Sequence, residues 1–167
     1  GDAGDDTIIS SGTNDVVDAG AGNNNIIISG TAFDGRYTSG DGNDTYTFQD
    51  TSQEVISYRQ SQGLSTYNPF YIDSSGEGVD TFILESGFKG HASISAEYDG
   101  NKTLNLNGGT ANWSSGSGDD VITSSEGTTL GYLNTSAGND TLTLDGYLSP
   151  YAEYSLGGGD DNLILSG

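Results

Sequence analysis

One short pattern recurs at a nearly fixed spacing in the last third of the chain and constrains the fold more than any other feature. Its three copies, GSGDDVI, SAGNDTL and GGGDDNL, contain Asp120, Asp140 and Asp161, which are 20 and 21 residues apart. Two residues after each Asp comes an aliphatic residue. A glycine-rich turn followed by alternating polar and apolar residues predicts a short, half-buried strand, and its repetition predicts a solenoid.

The same pattern is present at the start of the sequence. Between residues 1 and 27 three nine-residue repeats follow without a gap, and each predicts one turn and one strand. Two such halves per coil give a flattened parallel β-roll with a column of turns along each edge. We therefore expect an all-β fold, a right-handed parallel β-solenoid of about eight coils of 18–22 residues that comprises residues 1–167 as one unit.

Placing one turn every 18 to 22 residues defines a regular edge of this solenoid. Its column consists of Asp6, Asn24, Asp44, Gln62, Asp80, Lys102, Asp120, Asp140 and Asp161. The opposite edge lacks the glycine and aspartate chemistry, so we expect it to be irregular. The segments 57–74, 85–98 and 146–154 are expected to be looser excursions from the coils.

The regular edge has the composition of a calcium site. Glycine allows the backbone to curl so that carbonyl oxygens converge, and each Asp adds a carboxylate. Such an oxygen cage suits Ca²⁺ better than zinc or copper. The candidate ligands are Asp6, Asn24, Asp44, Asp80, Asp120, Asp140 and Asp161, together with Gly42, Gly78, Gly118, Gly138 and Gly159. The alternative is a set of turn-forming Gly, Asp and Asn clusters that bind no metal.

Lys102 departs from this chemistry, because an ammonium group replaces the carboxylate within an otherwise intact turn. Its neighbours in the column are Asp80 and Asp120. One hypothesis is that Lys102 acts as a built-in cation in place of a metal ion. The alternative is a solvated lysine in a coil that binds no metal.

The composition excludes several classes of function. The chain of 167 residues is 32% hydrophobic, has a net charge of −20 and contains only four basic residues. Unless cations cancel it, such a charge favours disorder, and it excludes surfaces for nucleic acid or anionic membranes. No stretch is apolar and long enough to insert directly into a membrane. The only histidine, His91, has no apparent nucleophile to activate, so we expect no enzyme activity.

These repeats resemble the RTX (repeats-in-toxin) family of calcium-binding nonapeptide repeats, most closely over residues 1–27 and 115–165. The resemblance implies a secreted bacterial protein that is exported unfolded by type I secretion and folds outside the cell on binding several calcium ions. Long coils with one metal edge are most similar to the RTX solenoids of S-layer proteins, surface adhesins and extracellular filaments. We therefore expect a structural segment that self-associates or continues into a longer chain.

Two alternative functions stay open. One is a secretion and folding module of a type I-secreted exoenzyme or adhesin. The other is a module that binds a cell-surface glycan through aromatic residues. The segment 57–74 is relevant to the second, because Tyr58, Tyr67, Phe70 and Tyr71 either face a partner or cover the coil beneath them.

Overall fold

The computed structural model describes residues 1–64 and 68–166, which form short strands and one helix. In chain order the elements are β1 (Thr7–Ser10), β2 (Thr13–Asp18), β3 (Asn25–Ile28), β4 (Phe33–Ser39), β5 (Thr45–Phe48), α1 (Gln53–Ser61), β6 (Pro69–Ser74), β7 (Thr81–Leu84), β8 (His91–Ala96), β9 (Thr103–Leu106), β10 (Thr110–Ser115), β11 (Val121–Ser124), β12 (Thr129–Asn134), β13 (Thr141–Leu144), β14 (Tyr147–Leu148), β15 (Tyr154–Ser155) and β16 (Asn162–Leu165).

The strands form two parallel sheets that the chain visits in turn. Sheet 1 has eight strands in the order β1-β3-β5-β7-β9-β11-β13-β16. Sheet 2 has the order β14-β12-β10-β8-β6-β4-β2, and β15 also pairs with β12. Each coil therefore places one strand in each sheet, and the chain winds as a β-solenoid of about eight coils. This confirms the predicted fold class.

The core lies between the two sheets, because alternate side chains of each strand point inward. In the middle coils of sheet 1 the outward positions are mostly Thr or Ile, and the inward positions are large and apolar. Tyr46 and Phe82 stack with ring centroids 5.1 Å apart, and Phe82 meets Trp113 of sheet 2 edge-on at 5.4 Å. All three side chains are fully buried. The aromatic contacts therefore connect the two sheets and successive coils.

One coil differs from the predicted length because it contains helix α1. Ser52 caps the start of α1 by accepting a hydrogen bond from the Val55 amide at 3.3 Å. After the helix, Gly63 adopts a positive φ of 66°. The next strand of sheet 1, β7, pairs directly with β5, so this coil extends over 36 residues. The prediction that Gln62 lies in the turn column is wrong, since Gln62 is the C-cap of α1. A fixed period does not reveal a helix inserted within one coil.

The expected excursions are more regular than predicted. Within 85–98, strand β8 pairs with β6 and β10 on its two sides, so that prediction is wrong over the strand. The segment 57–74 contains the end of α1 and all of β6. In 146–154, β14 pairs over only two residues.

No helix in the described part of the chain has the length and hydropathy needed to cross a membrane.

The aromatic residues of 57–74 do not form one surface. Phe70 is buried in the core, which matches the interpretation that it covers the coil. Tyr58 and Tyr71 are exposed and belong to α1 and to β6. Tyr67 lies outside the described residues. The hypothesis that these four rings face a partner together therefore fails at Phe70.

Candidate cation-binding turn edge

We use the name turn edge for the column of turns that precede the strands of sheet 1. Each turn has a glycine with φ between 118° and 155°, and these glycines are Gly4, Gly22, Gly42, Gly78, Gly100, Gly118, Gly138 and Gly159. At every one except Gly4, a Cβ atom would lie within 3.0 Å of the preceding glycine's carbonyl oxygen. Both the positive φ and the close stacking of coils therefore require glycine here.

Two residues after each glycine lies the predicted column, which we call the inner ladder. Its members are Asp6, Asn24, Asp44, Asp80, Lys102, Asp120, Asp140 and Asp161. At six junctions the backbone N–H of one member donates to Oδ1 of the member in the next coil, at 2.7–3.1 Å. From Asn24 to Asp140 every member is at most 2% exposed. The structure thus brings together all predicted Asp and Asn ligands.

A second ladder, one residue earlier in each turn, was not among the predicted site residues. This outer ladder consists of Asp5, Asn23, Asn43, Val79, Asn101, Asp119, Asn139 and Asp160. Its six hydrogen bonds run in the opposite direction, because the N–H of the later coil donates to Oδ1 of the earlier coil at 2.7–3.0 Å. The sequence signal for it is an Asp or Asn before almost every column residue.

Both ladders are interrupted at the same junction. Lys102 has no side-chain acceptor for the N–H of Asp80, and Val79 has none for the N–H of Asn101. This junction therefore lacks both of the ladder hydrogen bonds that its neighbours have. An ion pair replaces them, since Nζ of Lys102 lies 3.0 Å from Oδ2 of Asp80.

Lys102 is fully buried, so the hypothesis of a solvated lysine is wrong. Besides its ion pair with Asp80, its Nζ donates to the Gly78 carbonyl oxygen at 2.7 Å. Asp80 Oδ2 also accepts a hydrogen bond from Ser74. The ammonium group thus satisfies one carboxylate oxygen and one glycine carbonyl of the preceding turn.

The equivalent oxygens in other turns have no such partner. Among the described residues, Oδ2 of Asp44, Asp120 and Asp140 is buried and has no hydrogen-bond partner at good geometry, although the hydroxyl groups of Ser39 and Ser115 are near enough to Asp44 and Asp120 to lower the pKa of each. Each belongs to the same repeat position as Asp80, whose Oδ2 Lys102 neutralises. A buried carboxylate oxygen without a partner is costly, so these three positions call for a proton or a cation.

The electrostatics of the ladder reflect this burial. The pKa of Asp120 is raised to about 6, chiefly by desolvation and to a smaller extent by the Asp140 charge, while a hydrogen bond from Ser115 and the contacts of Lys102 oppose the shift. Desolvation likewise raises the pKa of Asp44, with a contribution from the Asp80 charge. Ionisation of Asp44 and Asp120 is therefore unfavourable in the folded chain, and a bound cation would reduce that cost.

The oxygen atoms of the turn edge are suitable ligands for a hard cation that binds many oxygens. No group of three or more Asp, Glu, His or Cys side chains converges within residues 1–64 and 68–166, so carboxylates alone cannot form a site. Glycine carbonyl oxygens of the turns can complete such a site, because they are accessible to side chains of the ladder. Lys102 Nζ donates to Gly78 O, and Asn24 Nδ2 donates to Gly22 O at 3.0 Å. Mixed carbonyl and carboxylate ligation is typical of Ca²⁺.

Comparisons with protein-family models, with curated proteins and with solved structures found no match for this chain. The class of protein is therefore given by the fold alone. The chain is a parallel β-solenoid, and its turns stack through two hydrogen-bond ladders of opposite direction.

Proposed function

We propose that this chain is a structural, calcium-binding β-solenoid segment of a secreted bacterial surface layer or extracellular filament. The observation on which this rests is the contrast along the inner ladder. Where a lysine is present, its ammonium group bonds Asp80 Oδ2 and Gly78 O, whereas at Asp44, Asp120 and Asp140 the equivalent Oδ2 is buried without a cation. Calcium at those positions would supply the missing positive charge.

The proposed sites involve three turns. The first combines Asp44 with the Gly42 carbonyl, the second Asp120 with the Gly118 carbonyl, and the third Asp140 with the Gly138 carbonyl. Aspartates of the following coil, Asp80, Asp140 and Asp161, are close in each case, because each accepts the ladder hydrogen bond from the turn concerned. Several ions would then offset part of the −20 charge and allow the coils to stack.

Calcium titration tests this proposal. We expect the chain to be largely disordered in chelator and to gain β-structure by circular dichroism as calcium reaches millimolar concentration, with magnesium a poor substitute. Isothermal titration on Asp120→Asn should show weaker calcium binding. Asp119→Asn is the matched control, since it removes the same charge from the same turn but preserves the outer-ladder acceptor. A spectrum that chelator does not change would contradict the proposal.

Assembly separates the structural function from its main alternative. Unpaired strand edges at the terminal coils of a solenoid can pair with a further coil of the same chain or of another copy. For a filament or surface layer, we expect electron microscopy to show rods or lattices with calcium that disperse in chelator. Isolated particles at high concentration with calcium would favour a secretion and folding module of an exoenzyme or adhesin.

A further inference from the structure

The outer face of sheet 2 has a cleft that the turn edge does not explain. It measures about 420 Å³ and crosses strands β4, β6, β8, β10 and β12. Tyr71 of β6 and Tyr132 of β12 stand at either end of its central part and are 47% and 37% exposed. Ser93 and Asn112 lie between them in the same row, according to the strand register.

The dimensions of this row follow from the sheet. Tyr71 pairs with Ser93, Ser93 with Asn112, and Asn112 with Tyr132. Three strand spacings of about 4.8 Å place the two tyrosines about 14 Å apart along the solenoid axis. Small side chains between two large rings therefore form a trough, and its long direction crosses the strands.

A β-bulge places Tyr132 in this row. The register between β10 and β12 shifts after Ala111, so that Asn112 pairs with Tyr132 and not with Gly131. Gly131 leaves room for the Asn112 side chain, because a Cβ there would clash with Asn112 Oδ1. Bulges commonly redirect a side chain beside a functional site. Without the shift, Tyr132 would not be opposite Asn112.

The polar groups of the cleft are available to a ligand. The side chains of Asp73, Ser93 and Asn112 make no hydrogen bond to any other described residue. Formal charge in the cleft comes from Arg36, whose guanidinium carbon lies 5.8 Å from the Tyr71 ring centroid, and from Asp73. These two charges cancel, so the cleft is neutral on a protein with a charge of −20.

We propose that this cleft binds an uncharged oligosaccharide. The C–H faces of sugar rings pack on aromatic rings, and their hydroxyl groups exchange hydrogen bonds with hydroxyl and amide side chains. Tyr71 and Tyr132 provide the first kind of contact, and Ser93 and Asn112 the second. A polyanion is disfavoured by the protein's negative charge. A peptide adding to a sheet would need a free strand edge, whereas here the strands beneath are paired on both sides.

The test is an array of uncharged oligosaccharides, including glucan, mannan, galactan, xylan and N-acetylglucosamine types, probed with the folded chain in calcium. We expect binding to at least one type and a loss of about tenfold or more in affinity for the double variant Tyr71→Ala/Tyr132→Ala. The matched control is Tyr98→Ala/Tyr151→Ala, which removes two exposed tyrosines outside the cleft.

A second variant, Ser93→Trp, should block the trough while leaving both rings in place. Folding of each variant is checked by circular dichroism in calcium, and this readout is independent of sugar binding, so failure of the cleft proposal is distinguishable from failure of the calcium proposal. Absence of binding to every sugar type, or binding that Tyr71→Ala/Tyr132→Ala and Ser93→Trp leave unchanged, would overturn the assignment. Binding only to a basic peptide or to an acidic polysaccharide would also overturn it.

Discussion

The ammonium group of Lys102 lies 3.0 Å from the carboxylate of Asp80, and both side chains are at most 1% exposed. Among the turns that the structure describes, this pair occupies the one junction where both ladders lack an acceptor, between the coil of Val79 and the coil of Asn101. Its energetic role is therefore open to direct measurement by substitution.

We expect Lys102→Ala to destabilise the solenoid by about 3–5 kcal/mol, because it leaves the buried Asp80 carboxylate without its cation. Denaturant unfolding in saturating calcium measures this difference. Lys89→Ala is the control, since Lys89 is exposed and should change stability by less than about 0.5 kcal/mol. Equal stability of Lys102→Ala and the parent would mean that the ion pair contributes nothing.

Lys102→Asp should restore the chemistry of the other turns at this junction. The new carboxylate can accept the ladder hydrogen bond from the Asp80 N–H, and it provides a position for an additional calcium ion. Native mass spectrometry with calcium should then count one ion more than in the parent chain. Its stability should depend on calcium more steeply than that of the parent. An unchanged ion count would contradict the equivalence between the ammonium group and a metal ion.

The stability of the chain in chelator should fall as the pH rises. Burial raises the pKa of Asp120 to about 6, above the value of about 3.9 for an unfolded Asp. Because the folded state holds the proton more tightly, this stabilisation is complete below about pH 4 and is lost as the pH rises through about 6. Asp44, whose pKa is also raised, contributes in the same direction.

Circular dichroism in chelator at a series of pH values measures this effect as the folded fraction, which should be largest at about pH 4 and smallest at about pH 7. Asp120→Asn should reduce the slope, since an amide does not titrate in this range, and excess calcium should flatten it for the parent chain. Stability in chelator that rises between about pH 4 and pH 7 would show that the inner ladder tolerates ionisation without a cation.

Gly138→Ala should destabilise the turn edge by more than the cost of a positive φ alone. A Cβ at Gly138 would meet the Gly118 carbonyl oxygen, whereas at Gly4, with a similar φ of 140°, nothing lies within 4 Å. Gly4→Ala is therefore a control for backbone strain, which is worth about 1–3 kcal/mol. Thermal unfolding in calcium compares the two variants. Equal losses would show that stacking does not select glycine.

The sheet-1 strands and the inner ladder could be predicted because both depend on local alternation and a near-constant period. Thr81–Leu84, for example, follows Asp80 directly, alternates outward and inward residues and forms strand β7. The outer ladder has an equally local signal, because an Asp or Asn precedes almost every column residue.

Other features depend on contacts that spacing does not reveal. Helix α1 has only a capping Ser52 and a terminating Gly63 as signals, in a segment without clear periodicity. The contacts of Lys102 with Gly78 and Asp80 depend on which of the two neighbouring coils its side chain packs against. The position of Tyr132 depends on a bulge between β10 and β12, whose paired residues are at least 19 positions apart in sequence. Tertiary packing decides each of these.

Asp44 and Asp80 are adjacent along the ladder although a 36-residue coil joins them. The turn edge thus fixes the rise of the rod from one coil to the next, while the opposite edge determines only how wide each coil becomes. A segment grafted in place of α1 would change the cross-section of the rod at that level and leave its axial repeat intact. We therefore expect this coil to accommodate a longer or a shorter segment without a change in the stacking of the turns.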